Sequence, residues 1–158
     1  MLAASVQAQE ATTLDTVDIR SVYPASSFET YSRLLEENPY QLEGWLQRSE
    51  ARAARGDTIG YFNDLRRLIA YFPDRPEGYT YLGRAYMVIH RYRHGIKHFN
   101  MALQKDPDFA MAYYERGKAW EALGSNHHAC TDWSHAIDLG YEPAFDRIAE
   151  VCAKASLY

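Results

Sequence analysis

Three observations predict an all-α chain built as a stack of antiparallel helix pairs. The first is a period of 34 residues, shared by Pro39, Pro73 and Pro107, by Trp45, Tyr79 and Tyr113, and by Leu65, Phe99 and Trp133. The second is that small residues keep the same register: Ser49, Gly83 and Gly117 form one column, and Ala102 and Ala136 follow Leu68 in another. The third is that each period holds two stretches with apolar residues spaced for one face of a helix. A unit that repeats at this length buries its apolar face only against its neighbours, so the units must stack.

The elements follow in chain order. Residues 1–25 are expected to precede the array, which spans 26–158. Met1 to Glu10 is similar to the last third of a secretory signal peptide, with Val6 and Ala8 placed for cleavage before Gln9. No basic residue precedes Arg20, and only Leu2-Ala3-Ala4 stands for the apolar run. Export is the expectation, and an alanine-rich cytosolic terminus the alternative. Thr12 to Ser27 is polar, contains Tyr23-Pro24 and reads as a flexible leader. The stripe Phe28, Tyr31, Leu34 and Leu35 then predicts a helix over 27–37, the second half of a unit (27–38) whose first half is missing.

Three full units come next, at 42–75, 76–109 and 110–142. Their predicted helices are 42–55 and 58–71, 76–89 and 92–105, and 110–123 and 126–139. In the middle unit Tyr79, Leu82, Gly83 and Tyr86 make one face of the first helix, and Gly95, Phe99, Ala102 and Leu103 one face of the second. The small residues leave room where helices cross closely, the aromatics fill the space between them, and each proline ends a helix. Pro143 opens a capping segment, 143–156, with a helix predicted over 143–155. Its stripe of Phe145, Ile148, Ala149 and Cys152 covers the last apolar face, as such arrays require.

The succession Tyr79, Leu82-Gly83, Tyr86, Gly95, Phe99, Ala102 and Pro107 resembles the tetratricopeptide repeat motif. The third unit follows it with Tyr113, Gly117, Trp120, Ala129, Trp133 and Ala136, but Leu139-Gly140-Tyr141 stands where a proline would close it. The first unit keeps Trp45, Leu65 and Pro73, while Arg48, Ser49 and Arg52 occupy the places of Leu, Gly and Tyr. The resemblance covers about residues 26–156. It implies a right-handed superhelix whose first helices line a concave groove, and a non-catalytic module that binds a protein or peptide segment there.

The resemblance assigns specific residues to that groove. Leu46, Gln47 and Glu50, flanked by Glu43 and Ala53, come from the first unit. Glu77, Thr80, Tyr81, Arg84 and Met87 come from the second, and Tyr114, Glu115, Lys118 and Glu121, with Met111, from the third. Family members that grip a chaperone's carboxyl-terminal peptide use Lys and Asn on these helices. Here the groove has no asparagine and one lysine, Lys118, which disfavours that function. Tyr81 and Tyr114 with Leu46 and Met87 offer apolar anchors beside mixed charge instead.

Exported bacterial members of the family have a segment similar to Ala129-Cys130-Thr131-Asp132-Trp133 followed by a terminal cysteine. That resemblance and an oxidising compartment favour a Cys130–Cys152 disulfide, and two reduced core thiols are the alternative. The resemblance places the protein in a bacterial periplasm or at the cell envelope, with the cytoplasm as alternative.

Composition excludes other classes. With 158 residues, 47% apolar and 14% aromatic, the chain can bury a core. Charges interrupt every apolar run, so no membrane-spanning helix is expected. The sequence lacks His-Glu-x-x-His, Gly-x-Ser-x-Gly, Cys-x-x-Cys and a phosphate-cradling glycine loop, so no catalytic residue, metal or cofactor is assigned. His94 and His98 are spaced to reach one ion, with His90, His127 and His128 nearby, but no carboxylate completes a ligand set. Arg55-Gly56-Asp57 reads as a helix stop and the next cap rather than an adhesion signal.

Charge is uneven along the chain, at −5 over residues 1–47, +6 over 48–105 and −5 over 106–158. The basic middle carries Arg66, Arg67, Arg91, Arg93 and Lys97 with Tyr71 and Tyr92 between them. Helix phase spreads these residues, so nucleic acid is not the expected partner. A polyanion-binding or self-associating envelope scaffold, and with it a homo-oligomer, is the alternative to groove binding.

Overall fold

The computed structural model describes residues 25–152, with side chains from 28 onward. The expected signal-peptide remnant, all but the last residues of the leader, and residues 153–156 of the expected cap lie outside the described residues. Seven helices of 13 or 14 residues follow one another: α1 (Ala25–Glu37), α2 (Leu42–Ala54), α3 (Thr58–Tyr71), α4 (Pro76–Val88), α5 (Tyr92–Lys105), α6 (Ala110–Ala122) and α7 (Asn126–Asp138). A short α8 (Ala144–Arg147) runs into a π-helical turn over Ile148–Cys152. Helices α2 and α3, α4 and α5, and α6 and α7 pair, and each pair packs on the next in chain order, giving an all-α solenoid.

Local chemistry starts and stops the helices. Asp57 caps α3, accepting from the Gly60 amide at 2.8 Å, and Pro76 occupies the first turn of α4, where its missing N–H leaves no gap in the ladder. The prolines that close the units also accept from the next aromatic. Trp45 Nε1 donates to the Pro39 carbonyl at 2.8 Å, and Tyr79 Oη donates to the Pro73 carbonyl at 2.9 Å. The third unit closes without proline: Gly140, at φ +81°, turns the chain while its own amide and that of Tyr141 satisfy the carbonyls of Ile137 and Ala136.

The columns of small residues have a steric origin. A Cβ on Gly83 would lie 2.5 Å from the Phe99 ring, and one on Gly117 would lie 2.4 Å from Trp133 Nε1. Phe99 and Trp133 are fully buried against those two glycines, and Ala102, Ala112, Ala119 and Ala136 are fully buried as well. Buried apolar clusters follow one another from Leu35 of α1 to Ala144 of the cap.

The first unit does not pack more loosely for its departures from the motif. Ser49 is fully buried and bonds the Leu46 carbonyl at 2.7 Å, so it serves as the small residue of its column. Arg48 makes two hydrogen bonds to Asp64, at 2.9 and 2.7 Å, and Arg52 Nε lies 2.9 Å from the same carboxylate. The third unit repeats this arrangement, with Arg116 on Asp132 at 2.8 and 2.6 Å. The middle unit has Leu82 and His98 in the corresponding places.

The cap differs from the expected single helix. Phe145 is 55% exposed, and Ala149 is exposed as well. The residues that meet α6 and α7 are Ala144, Ile148, Val151 and Cys152. Ala144, Ile148, Val151 and Cys152 also fall on one helical face, turned by about one residue from the expected stripe, and Cys152, at the end of the π-helical turn, is bonded to Cys130 of α7.

Three positions ending first helices share a register and a left-handed backbone: Gly56 (φ +76°), His90 (φ +57°) and Gly124 (φ +75°). Glycine adopts this conformation freely, whereas a side chain there brings Cβ against the carbonyl. We expect His90→Gly to stabilise the fold by about 0.5–1 kcal/mol in urea unfolding. An unchanged or lower midpoint would mean that the bond between His90 Nδ1 and Tyr92 Oη, at 2.7 Å, offsets the strain.

Candidate functional site

The first helices of the three units, α2, α4 and α6, present side chains to one face, where two cavities open. One, of about 300 Å³, has an apolar floor of Tyr61, Phe62, Ala85 and Val88 and is rimmed by Glu50 and Arg84. The other, of about 550 Å³, lies at the carboxyl-terminal end. Met87, Tyr114, Lys118 and Glu121 form one wall, and Pro143, Asp146, Arg147 and Glu150 of the cap form the other.

Every cation on this face is held by a carboxylate and laid over a ring. Arg84 Nε is 3.5 Å from Glu115 Oε1, with its guanidinium over Tyr81. Lys118 Nζ donates to the other oxygen of Glu115 at 3.0 Å and sits over Tyr114. Arg147 is bonded to Glu121 and Glu150 and lies over Trp133. Such stacking and pairing hold long side chains in one rotamer and leave their charge already neutralised.

Burial pushes the Tyr61 hydroxyl up to about 12, against the pull of Arg84. Burial and then Glu50 raise Tyr81, and burial and then Glu115 raise Tyr114 and Tyr141. These phenols stay neutral donors at physiological pH. Burial opposes the charge of Arg84, but Glu115, with Tyr61 and Tyr81 adding to it, outweighs that and raises its pKa.

The structure brings together most of the residues that the sequence placed here, and moves two of them. Glu50, Tyr81, Arg84, Met87, Tyr114, Lys118 and Glu121 share this face, and Ala53 borders the smaller cavity. Gln47 bonds Glu43 at 2.5 Å along α2, and Glu77 is held by Arg75 at the edge, bordering neither cavity. Glu115 is buried beneath the two cations that it pairs.

Leu46 and Thr80 do not line the groove. Leu46 is 6% exposed and packs with Leu35, Trp45 and Leu68. Thr80 is fully buried, its hydroxyl donating to the Pro76 carbonyl at 3.0 Å. Leu46 packs toward α1 and α3 and Thr80 turns its hydroxyl back onto its own helix, so neither faces the cavities.

Tyr61 and Phe62 were missed because they open a second helix. Their signal was the apolar pair following the Asp57 cap. His94 and His98 stack on either contact of one ring, Tyr86, at 5.4 and 5.2 Å, and no metal-holding cluster of His, Cys, Asp or Glu occurs among the described residues. His98 Nδ1 is buried without a partner, and burial, then Lys97, His94 and Arg66, lower its pKa.

The geometry defines a tetratricopeptide-repeat fold, and solved structures agree. The crystal structure of MamA superposes with a TM-score of 0.62 at 16% identity, covering 92% of this chain and all of that one. A thermophilic TPR protein from Thermus thermophilus gives 0.68 at 20% identity over 78% of this chain and 70% of its own. The first TPR of Spaghetti (RPAP3), bound to the HSP90 peptide SRMEEVD, gives 0.65 at 16% identity over 73% and 93%. No family model matches the chain, and no curated protein matches it. Among the described residues no helix is long and apolar enough to cross a membrane.

Proposed function

We propose that this face binds an extended peptide or protein segment without catalysis, and that the segment is neutral or basic with an apolar anchor. The observation that carries the reading is the smaller cavity: an apolar floor sized for one large side chain, beside Tyr81 and rimmed by Glu50. The RPAP3 structure lends support, since the same fold there holds a peptide. That peptide ends in acidic residues, whereas the cations here are already consumed by Glu115, Glu121 and Glu150. An acidic ligand would have to break those pairs.

Fluorescence polarisation against a peptide library tests this. We expect Tyr81→Ala/Tyr114→Ala to weaken the selected basic-apolar peptides about tenfold or more, as truncated aromatic anchors do. Tighter binding of acidic carboxyl-terminal peptides would overturn the reading. We further propose an exported, periplasmic or envelope location, which the Cys130–Cys152 bond supports because such bonds persist in oxidising compartments. Cell fractionation checks it.

A further inference from the structure

Two cations outside the groove, Arg91 and Arg93, differ from those inside it. Arg91 and Arg93 are exposed at the turn between α4 and α5, and among the described residues neither enters an ion pair, whereas Arg84, Lys118 and Arg147 each do. Two shallow cavities adjoin there and share Arg93 and Leu123. One, of about 270 Å³, includes His90, Arg91 and Tyr92, and the other, of about 480 Å³, is walled by Ile96 and Trp120. Leu123, at the end of α6, is 39% exposed between them.

We propose that this notch docks an acidic protein segment carrying an apolar side chain beside its carboxylates. Charge complementarity argues for the acid, since two arginines with no carboxylate offer ten N–H donors suited to bidentate capture. The wall of Ile96, Trp120 and Leu123 argues against a bare polyanion, which would leave that apolar surface in water. The backbone adds to this. His90 holds a left-handed conformation where its register mates are glycine, and the strain sets its imidazole on Tyr92 at the edge of the notch. A second copy presenting its groove is a poor occupant, because the groove carboxylates Glu115 and Glu121 are already held by Arg84, Lys118 and Arg147. The site is separate from the groove and is independent of what the groove binds.

The test is fluorescence polarisation with a short labelled peptide alternating Glu and Leu, against Lys–Leu, all-Glu and heparin-fragment probes. We expect the Glu–Leu peptide to bind best, Arg91→Glu/Arg93→Glu to weaken it about tenfold or more, and Leu123→Ser to weaken it about threefold. Arg75→Glu/Lys105→Glu changes the same charge on the opposite edge and is expected to leave binding within about twofold, as is Tyr81→Ala/Tyr114→Ala. If the double reversal fails to fold, Arg91→Gln/Arg93→Gln removes the charge without reversing it. Equal or tighter binding of all-Glu or heparin, or no binding at all, would overturn the proposal. So would sedimentation showing that the wild type self-associates through Arg91 and Arg93 while the peptide does not bind.

Discussion

Asp64→Ala is expected to lose about 3–5 kcal/mol of unfolding free energy, because it strands the buried Arg48. Asp64 is 2% exposed and receives both hydrogen bonds of Arg48, itself 8% exposed, together with the nearby Arg52. Alanine removes the only buried carboxylate described beside them, and Arg48 cannot reach water without giving up its seat over Trp45. A typical domain has about 5–15 kcal/mol in total, so the variant is expected to be partly unfolded at 37 °C. Urea unfolding followed by circular dichroism measures the loss, and a value under about 1 kcal/mol would mean that solvent reaches this pair more freely than its burial implies.

A companion variant separates the worth of the pair from the harm of breaking it. Arg48→Leu/Asp64→Leu removes both charges and places at residue 48 the leucine that the middle unit has as Leu82. Replacing a buried pair with apolar groups is often neutral, so the double variant is expected to lose less than half of what Asp64→Ala loses. Buried ion pairs of this kind serve register better than stability. In this chain they occur in the first and third units and not in the second, which gives each unit a neighbour unlike itself. Pairing α2 with the second helix of the middle unit, α5, would set Arg48 against His98 instead of Asp64.

That alternation was present in the sequence as a 68-residue spacing, Arg48 to Arg116 and Asp64 to Asp132. A motif centred on Leu-Gly-x-x-Tyr reads Arg48 as a lapse, because it scores each position alone and an ion pair is a property of two. The helices themselves were legible because their signals are local. Proline, Asp57 and the glycine turns punctuate the chain, and the predicted ends fall within two residues of those observed for all seven long helices. Groove residues were less legible, since helical phase cannot say how closely neighbouring helices approach. Leu46 meets Leu35 of α1 and Leu68 of α3, Thr80 is fully buried, and both became core. The cap was least legible, because Phe145, Ile148, Ala149 and Cys152 and the neighbouring set Ala144, Ile148, Val151 and Cys152 both fit one helical face, and the chain buries the second.

Opening the Cys130–Cys152 bond is expected to destabilise the chain by about 3 kcal/mol, and the effect should be local. The bond closes a sequence separation of 22 residues and ties the π-turn to α7. Without it the described part of the cap retains Ala144, Ile148 and Val151 on the Trp133 surface, together with the Arg147–Glu121 pair. In a stack where each unit touches only its neighbours, that loss reaches α6 and α7 before anything else. Hydrogen exchange on Cys130→Ser/Cys152→Ser should therefore show lost protection across 143–152, partial loss in α7, and none in α1 to α5. The larger cavity draws half of its named lining from the cap, so ligands that enter it should weaken on reduction, while those confined to the cavity at Tyr61 and Phe62 should not. Uniform loss of protection from α1 onward would instead make the array one cooperative unit, and the disulfide would then act on the whole groove rather than on its carboxyl-terminal end.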